Sequence, residues 1–125
     1  MKTYYAEDFR EDMLELSDNR IEWDIANYAE GKPINEVHYD YLINEMVMLF
    51  KDHYKGNYPY LCGRSCRHVC VKDTPYNRRN YRYMVNVVDK MQWLIVYILT
   101  KNEIAWTNHL QIMPKWLADA TKHLL

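Results

Sequence analysis

Apolar residues recur at intervals of three and four along most of the chain, which is the period of an amphipathic α-helix. Only three glycines and four prolines interrupt this pattern. The first predicted helix carries the apolar stripe Tyr5, Phe9, Met13 and Leu16. A second helix is predicted over about residues 20–30, because Asn19 and Glu22 have the spacing of a capping box and Gly31 supplies a left-handed stop.

The remaining helices follow from the same period. A third helix is predicted after the turn at residues 31–33 and ends near Gly56; its apolar side is Tyr39, Leu42, Ile43, Met46, Leu49 and Phe50. The segment LCGRSCRHVC, residues 61–70, is interpreted as a short fourth helix. A long helix is predicted from Pro75, with Thr74 as its N-cap. It becomes apolar nearly all round after Met91, which is typical of the central helix of a bundle. Pro114 opens a last helix.

Length and composition agree with a folded helical protein. A chain of 125 residues buries roughly two thirds of the surface that its unfolded form exposes. Hydrophobic and aromatic contents of 49% and 14% argue against intrinsic disorder. The segments VNVVDK and WLIVYIL contain residues that favour strands, but both continue the helical period. The predicted fold class is therefore all-α, a compact bundle of five to six helices in a single domain over residues 1–125.

The sequence also predicts a cytoplasmic protein that does not enter a membrane. The first residues, MKTYYAEDFREDML, become acidic too early for a secretory signal. The most apolar run, MQWLIVYILT, has about half of the roughly 20 residues that span a bilayer. Three cysteines do not suggest a disulfide framework and fit a reducing compartment.

The three cysteines form the one cluster that suggests reactive chemistry. On a helix, Cys62, Cys66 and Cys70 would share one face, but the outer two Cα atoms would lie roughly 12 Å apart. Three thiolates at that spacing do not reach one zinc ion on a straight helix. Two of them could bind zinc together with His53 or His38, although the usual tight cysteine pair is missing. Buried free thiols are the favoured interpretation, so no metal or cofactor is predicted.

Charge is distributed unevenly, although the net charge is −1. Residues 1–50 contain 12 acidic and 4 basic side chains, whereas residues 51–100 contain 9 basic and 3 acidic ones. Carboxylates four residues apart on a helix destabilise it by a few tenths of a kcal/mol per pair, so helix stability does not explain the acidic segment. The predicted protein-binding residues are Glu7, Asp8, Glu11, Asp12, Glu15 and Asp18. A solvated acidic face is the alternative.

The middle of the chain has the opposite charge and is rich in tyrosine. Arginine beside tyrosine can bind phosphate and stack on bases, although the same residue types also anchor protein interfaces. The basic segment could also neutralise the acidic one within the bundle. The candidate nucleic-acid-binding residues are Arg64, Arg67, Arg78, Arg79, Arg82 and Tyr81.

These patterns predict a non-enzymatic protein that binds a macromolecule. Only Ser17 and Ser65 are serines, and no nucleophile elbow, phosphate loop or zinc-protease motif is present. The first hypothesis is a protein-interaction module or stoichiometric inhibitor whose acidic face binds a basic partner, such as a nucleic-acid-handling complex. Small phage-encoded inhibitors, including anti-CRISPR proteins, offer an analogy in size and charge without a shared motif.

Two alternatives accompany this hypothesis. The first is an RNA- or DNA-binding module that uses residues 51–83. The second concerns the C-terminal apolar residues Trp106, Trp116 and Leu125, which either pack internally or form a homodimer contact.

Overall fold

Five α-helices account for most of the residues that the computed structural model describes, which are 14–54, 60–61, 68–70 and 75–125. They are α1 (Asp18–Tyr28), α2 (Glu36–Tyr54), α3 (Pro75–Thr100), α4 (Glu103–His109) and α5 (Lys115–Thr121), followed by a 3₁₀ turn at Lys122–Leu124. The predicted all-α class is confirmed.

Helix α3 is the centre of the structure and contacts α1, α2 and α4. Residues 91–96 are all buried, as expected from the run that is apolar nearly all round. The segments VNVVDK and WLIVYIL both lie within α3, so the helical period correctly outweighed their strand propensity. None of the helices in the described part of the chain is apolar over a length sufficient to cross a membrane.

The start of α1 is fixed by both a local and a distant hydrogen bond. The hydroxyl of Ser17 accepts a hydrogen bond from the backbone N–H of Arg20 at 3.3 Å, which is an N-cap interaction. The N–H of Ser17 donates to Oε1 of the buried Gln92 on α3, at 2.9 Å. The prediction of Asn19 as the cap is therefore wrong by two residues: Ser17, also a favoured N-cap residue, makes the capping bond and is held in place by Gln92. The left-handed stop predicted at Gly31 begins one residue earlier: α1 ends at Tyr28 with Ala29 as its C-cap, and Glu30, with a φ of 54°, precedes Gly31, with a φ of 78°.

A small antiparallel sheet accompanies the helices. Its strands are β1 (Leu14–Glu15), β2 (Tyr60–Leu61) and β3 (His68–Cys70), in the order β1-β3-β2. The first predicted helix is thus wrong at residues 14–15, and the helix predicted for the cysteine segment is wrong at residues 68–70. Their backbone groups pair between segments distant in sequence, and a local period does not reveal such pairing.

The sheet changes the interpretation of two predicted clusters. Glu15 is opposite His68 in the register of β1 and β3, so the backbones of the acidic and middle segments are neighbours. Cys70 belongs to β3, whereas Cys62 and Cys66 lie outside the described residues. The helical spacing used to evaluate three thiolates around one zinc ion therefore does not apply to Cys70.

The C-terminal tryptophans pack against the core. Trp106 and Trp116 are partly buried against it. The indole N–H of Trp116 donates to the Tyr83 hydroxyl at 2.9 Å, and its ring stacks on His53 with the ring centroids 3.6 Å apart. These two tryptophans therefore follow the internal-packing alternative, whereas Leu125 remains 48% exposed.

The hydroxyl of Tyr54, at the end of α2, is buried and has no hydrogen-bond partner in the described part of the structure. Burial raises the pKa of this phenol far above its usual range. An unsatisfied buried hydroxyl opposes folding. We therefore expect Tyr54→Phe to leave the free energy of unfolding unchanged or to raise it by up to about 1 kcal/mol in urea titrations.

Tyr39→Phe is the matched control, because the buried Tyr39 donates its hydroxyl to Asp18. Loss of a hydrogen bond to a charged group is expected to lower the free energy of unfolding by about 1.5–3 kcal/mol. An equal loss in Tyr54→Phe would mean that the Tyr54 hydroxyl has a stabilising partner.

Candidate functional site

The N-terminal halves of α1 and α2 line a concavity of about 200 Å³. Its lining residues are Asp18, Glu22, Ile34, Glu36, Tyr39 and Asp40. The Asn35 side chain starts α2 by accepting a hydrogen bond from the N–H of His38 at 3.0 Å. The hydroxyl of Tyr39 donates to the carboxylate of Asp18 and so connects the two helices. We refer to this feature as the acidic concavity.

Each of the two helices contributes a pair of carboxylates spaced four residues apart. Asp18 and Glu22 belong to α1, and Glu36 and Asp40 belong to α2. Asp18 and Glu36 occupy first turns, where the helix dipole stabilises negative charge. Glu22 and Asp40 lie beyond those turns, and each forms a like-charge pair that opposes helix formation. Helix stability therefore does not account for the acidic concavity.

Ion pairing within the described residues leaves part of this charge uncompensated. The ion pairs between described side chains are Arg20–Asp24, Arg20–Asp89, Lys115–Asp119 and His123–Glu45. None of them includes Glu22 or Glu36. No described cation therefore neutralises these two carboxylates by direct contact.

The size and chemistry of the acidic concavity favour a single cationic side chain as its occupant. Its volume is below the roughly 300–1,000 Å³ typical of small-molecule sites. Among the residues that the structure describes, no group of three or more His, Cys, Asp or Glu side chains is arranged to hold a metal ion. Arginine and lysine form strong charge-assisted hydrogen bonds with carboxylates. The arrangement therefore suits a lysine or arginine presented by another macromolecule.

The structure separates the acidic residues that the sequence grouped together. Asp18 lines the acidic concavity, whereas Glu15 lies in β1. The prediction that Glu15 and Asp18 lie on one continuous helical face is therefore wrong, because Glu15 is in a strand and α1 begins only at Asp18. The other predicted residues lie outside the described part of the chain: Glu7, Asp8, Glu11 and Asp12.

Three residues of the acidic concavity were missed in the sequence: Glu22, Glu36 and Asp40. Their signal was the same spacing of carboxylates four residues apart that marked the N-terminal segment. It occurs in DNRIE and again in EVHYD, residues 18–22 and 36–40. The spacing alone did not reveal that the two pairs would line one surface.

The candidate nucleic-acid-binding residues fall into two groups. Arg78, Arg79, Tyr81 and Arg82 lie in the first two turns of α3, whereas Arg64 and Arg67 lie outside the described residues. Arg79 and Arg82 are exposed, and Arg78 and Tyr81 are partly buried. Residues three apart on a helix are surface neighbours, so Arg79 and Arg82 form a basic face.

A second polar cluster joins α1, α3 and α4. The ring of His109 stacks on Trp93 with the centroids 3.5 Å apart and an interplanar angle of 5°. Arg20 forms an ion pair with Asp89 at 2.6 Å. The ammonium group of Lys90 donates to the backbone carbonyl of His109 at 2.7 Å. These contacts connect three helices, and we interpret the cluster as structural.

The same cluster predicts a dependence of stability on pH. Burial lowers the pKa of His109 below its usual value, although Asp89 and Asp24 partly oppose this effect. The unfolded chain therefore takes up a proton at higher pH than the folded protein does. His109 therefore contributes to the free energy of unfolding in a pH-dependent way. The contribution has its full value above the unfolded pKa of about 6.5 and declines as the pH falls below it.

His109→Phe is the variant that tests this origin, because it retains an aromatic ring beside Trp93 and cannot titrate. Urea unfolding is measured at pH 7.5 and 5.5, about one unit either side of the unfolded histidine pKa. Between these two pH values, the free energy of unfolding should fall less in the variant than in the wild type. His53 also has a pKa lowered by burial, so part of the loss should remain. An unchanged pH dependence in His109→Phe would exclude His109 as a source.

Comparisons with protein-family models, curated protein sequences and solved structures find no match to this chain. The candidate sites are therefore defined by their own geometry and charge.

Proposed function

We propose that this protein is a non-enzymatic interaction module that binds a basic protein partner through the acidic concavity. The observation that carries the proposal is the pair of carboxylates on each helix, Asp18 with Glu22 and Glu36 with Asp40, around one small concavity. Each pair costs local helix stability. A partner that supplies lysine or arginine offsets this cost on binding.

The proposed partner inserts a cationic side chain between α1 and α2. Opposite charge accelerates encounter and selects among partners. Trp23, next to Glu22 in the sequence, is 69% exposed. Exposed tryptophan is a frequent energetic anchor of protein interfaces, so Trp23 is a candidate for the apolar part of the contact. A stoichiometric inhibitor of a nucleic-acid-handling complex fits this chemistry, since such complexes present basic surfaces.

The test begins with immobilised wild-type protein in cell extract, followed by elution with rising salt and identification of the eluted proteins. The dominant partner is then purified and titrated by calorimetry at low and high salt. We expect a saturable one-to-one complex that weakens as salt screens the charges. Absence of a saturable partner, or an affinity that salt does not change, would contradict the proposal.

The exposed arginines of α3 support a second candidate function, binding of RNA or DNA. Arg79 and Arg82 form no ion pair with another described residue, and Tyr83 beside them is 41% exposed.

Gel mobility shift of single- and double-stranded RNA and DNA at two salt concentrations tests this alternative. Phosphate binding should weaken steeply with salt, and Arg79→Gln combined with Arg82→Gln should weaken it further. The absence of a shift at low salt would exclude this function.

A further inference from the structure

The outward side of α2 carries a second apolar stripe in addition to the side that faces the core. The inward residues are buried: Tyr39, Leu42, Ile43, Met46, Val47, Phe50 and Tyr54. On the opposite side, Val37, Tyr41 and Met48 are 80%, 48% and 46% exposed. We call these three residues the outer stripe. A surface helix normally presents polar residues on the side away from the core.

The three residues of the outer stripe are close together on the helix. At 100° per residue, Val37, Tyr41 and Met48 fall within a sector of roughly 40°. The exposed Asn44 lies at the edge of this sector, between Tyr41 and Met48 along the helix. Val37 and Met48 are eleven positions apart, which corresponds to roughly 16 Å along the axis. This length is about three helical turns, enough to accept a helix from another molecule. Other exposed apolar residues, such as Ile104 and Ile112, lie outside α2 and do not belong to this stripe.

Carboxylates border the outer stripe on both sides. Glu36 and Asp40 lie on one border, which also contains the position of Lys51, and both line the acidic concavity. Glu45 and Asp52 lie on the other border by the same helical geometry, and Glu45 is 3.7 Å from His123. Asp40 and Asp52 are both exposed. A mainly apolar strip between two predominantly acidic borders complements a helix with an apolar face between basic borders.

We infer that the outer stripe and the acidic concavity together form a docking surface for a basic amphipathic helix of the partner. Apolar side chains of that helix would cover Val37, Tyr41 and Met48, and its lysines or arginines would contact the acidic borders and the acidic concavity. Anionic lipid surfaces and nucleic acids are negatively charged, like these borders, and would be repelled by them. The inference rests on the proposed function and specifies the chemistry of the partner.

Two synthetic helical peptides of identical composition test this inference. The patterned peptide has leucines along one face and lysines and arginines on both borders; the scrambled peptide has no such face. We expect wild-type protein to bind the patterned peptide at least tenfold more tightly in fluorescence titrations. Equal affinities, or no binding of the patterned peptide, would overturn the inference.

Variants of the protein then separate the stripe from the charge. Val37→Ser combined with Met48→Ser should remove the preference for the patterned peptide, whereas Ile112→Ser, which changes an 88% exposed residue outside α2, should retain it. Circular dichroism confirms that each variant is folded. An unchanged preference in the double serine variant would overturn the inference.

Glu22→Lys combined with Asp40→Lys distinguishes this inference from the proposed function. We expect these changes to weaken the binding of both peptides at least tenfold. If the charge reversal weakens the binding of both peptides but the two peptides bind with equal affinity, the proposed role of the acidic concavity is supported and that of the outer stripe is contradicted. If the charge reversal has no effect while the serine variant abolishes the preference, the outer stripe stands and the proposed role of the concavity falls.

Discussion

Ile95→Ala is expected to lower the free energy of unfolding by about 2–5 kcal/mol. Ile95 lies in α3, the helix that contacts α1, α2 and α4, and none of its surface is exposed. Removing its outer carbons loses buried apolar contacts and leaves a cavity that the neighbouring helices fill only in part. Folded domains of this kind are stable by about 5–15 kcal/mol, so the loss is a large fraction of the total.

Ile104→Ala is the matched control for this prediction. It makes the same change in α4, where the isoleucine is 58% exposed, and it should alter the free energy of unfolding by less than about 1 kcal/mol. Urea titration followed by far-ultraviolet circular dichroism measures both variants. Similar losses in the two would contradict the central position of α3.

Glu22→Lys combined with Asp40→Lys is expected to weaken binding of the purified basic partner about a hundredfold, which corresponds to about 2.8 kcal/mol. Each change replaces attraction for an incoming lysine or arginine with repulsion. Truncating one partner of a buried, hydrogen-bonded charge pair at an interface costs about 2–5 kcal/mol, so the expected loss for two reversals lies near the low end of that range.

The same double variant should remain folded. Lysine at position 22 follows Asp18 by four residues, and lysine at position 40 follows Glu36 by four. Both pairs change from like to opposite charge in the favourable order along a helix. We therefore expect calorimetric titration to show weaker binding of the partner by a variant that still unfolds cooperatively in urea. A loss of binding in a variant that no longer unfolds cooperatively would point to misfolding instead of a binding surface.

The helices most clearly set by local chemistry were predicted well. Pro75 begins α3 as its N-terminal signal indicated, and the apolar run after Met91 is buried at the centre. Pro114 likewise precedes α5 directly. In these places, proline geometry and burial favour one structure, so the sequence period was sufficient.

The features that were missed depend on contacts between distant segments. The strand at His68–Cys70 pairs with β1 and β2, and the Ser17 cap is supported by Gln92 on α3. A helical period contains no information about either contact. The error at the cysteine segment therefore arose from treating a non-local pairing as a local helix.

The acidic concavity was hidden for a related reason. A short connection between helices commonly produces an antiparallel pair, which would place the start of α2 beside the end of α1. Here the hydroxyl of Tyr39, in the first turns of α2, donates to Asp18 at the start of α1. The path of residues 29–35 thus brings two N-terminal carboxylate pairs to one surface. The sequence identified the unusual charge spacing but not this arrangement.

The most direct test of the proposed binding surface compares the partner's dissociation constants for Asp40→Lys and Asp119→Lys. Both variants make the same change in net charge on an exposed helical aspartate; Asp40 lines the acidic concavity, whereas Asp119 lies on α5 and pairs with Lys115 at 3.0 Å. We expect at least tenfold weaker binding for Asp40→Lys and less than a twofold change for Asp119→Lys, given that reversal of a contacting charge costs at least about 1.4 kcal/mol. Equal weakening would show that only net charge matters, and unchanged binding in Asp40→Lys would contradict the location of the site.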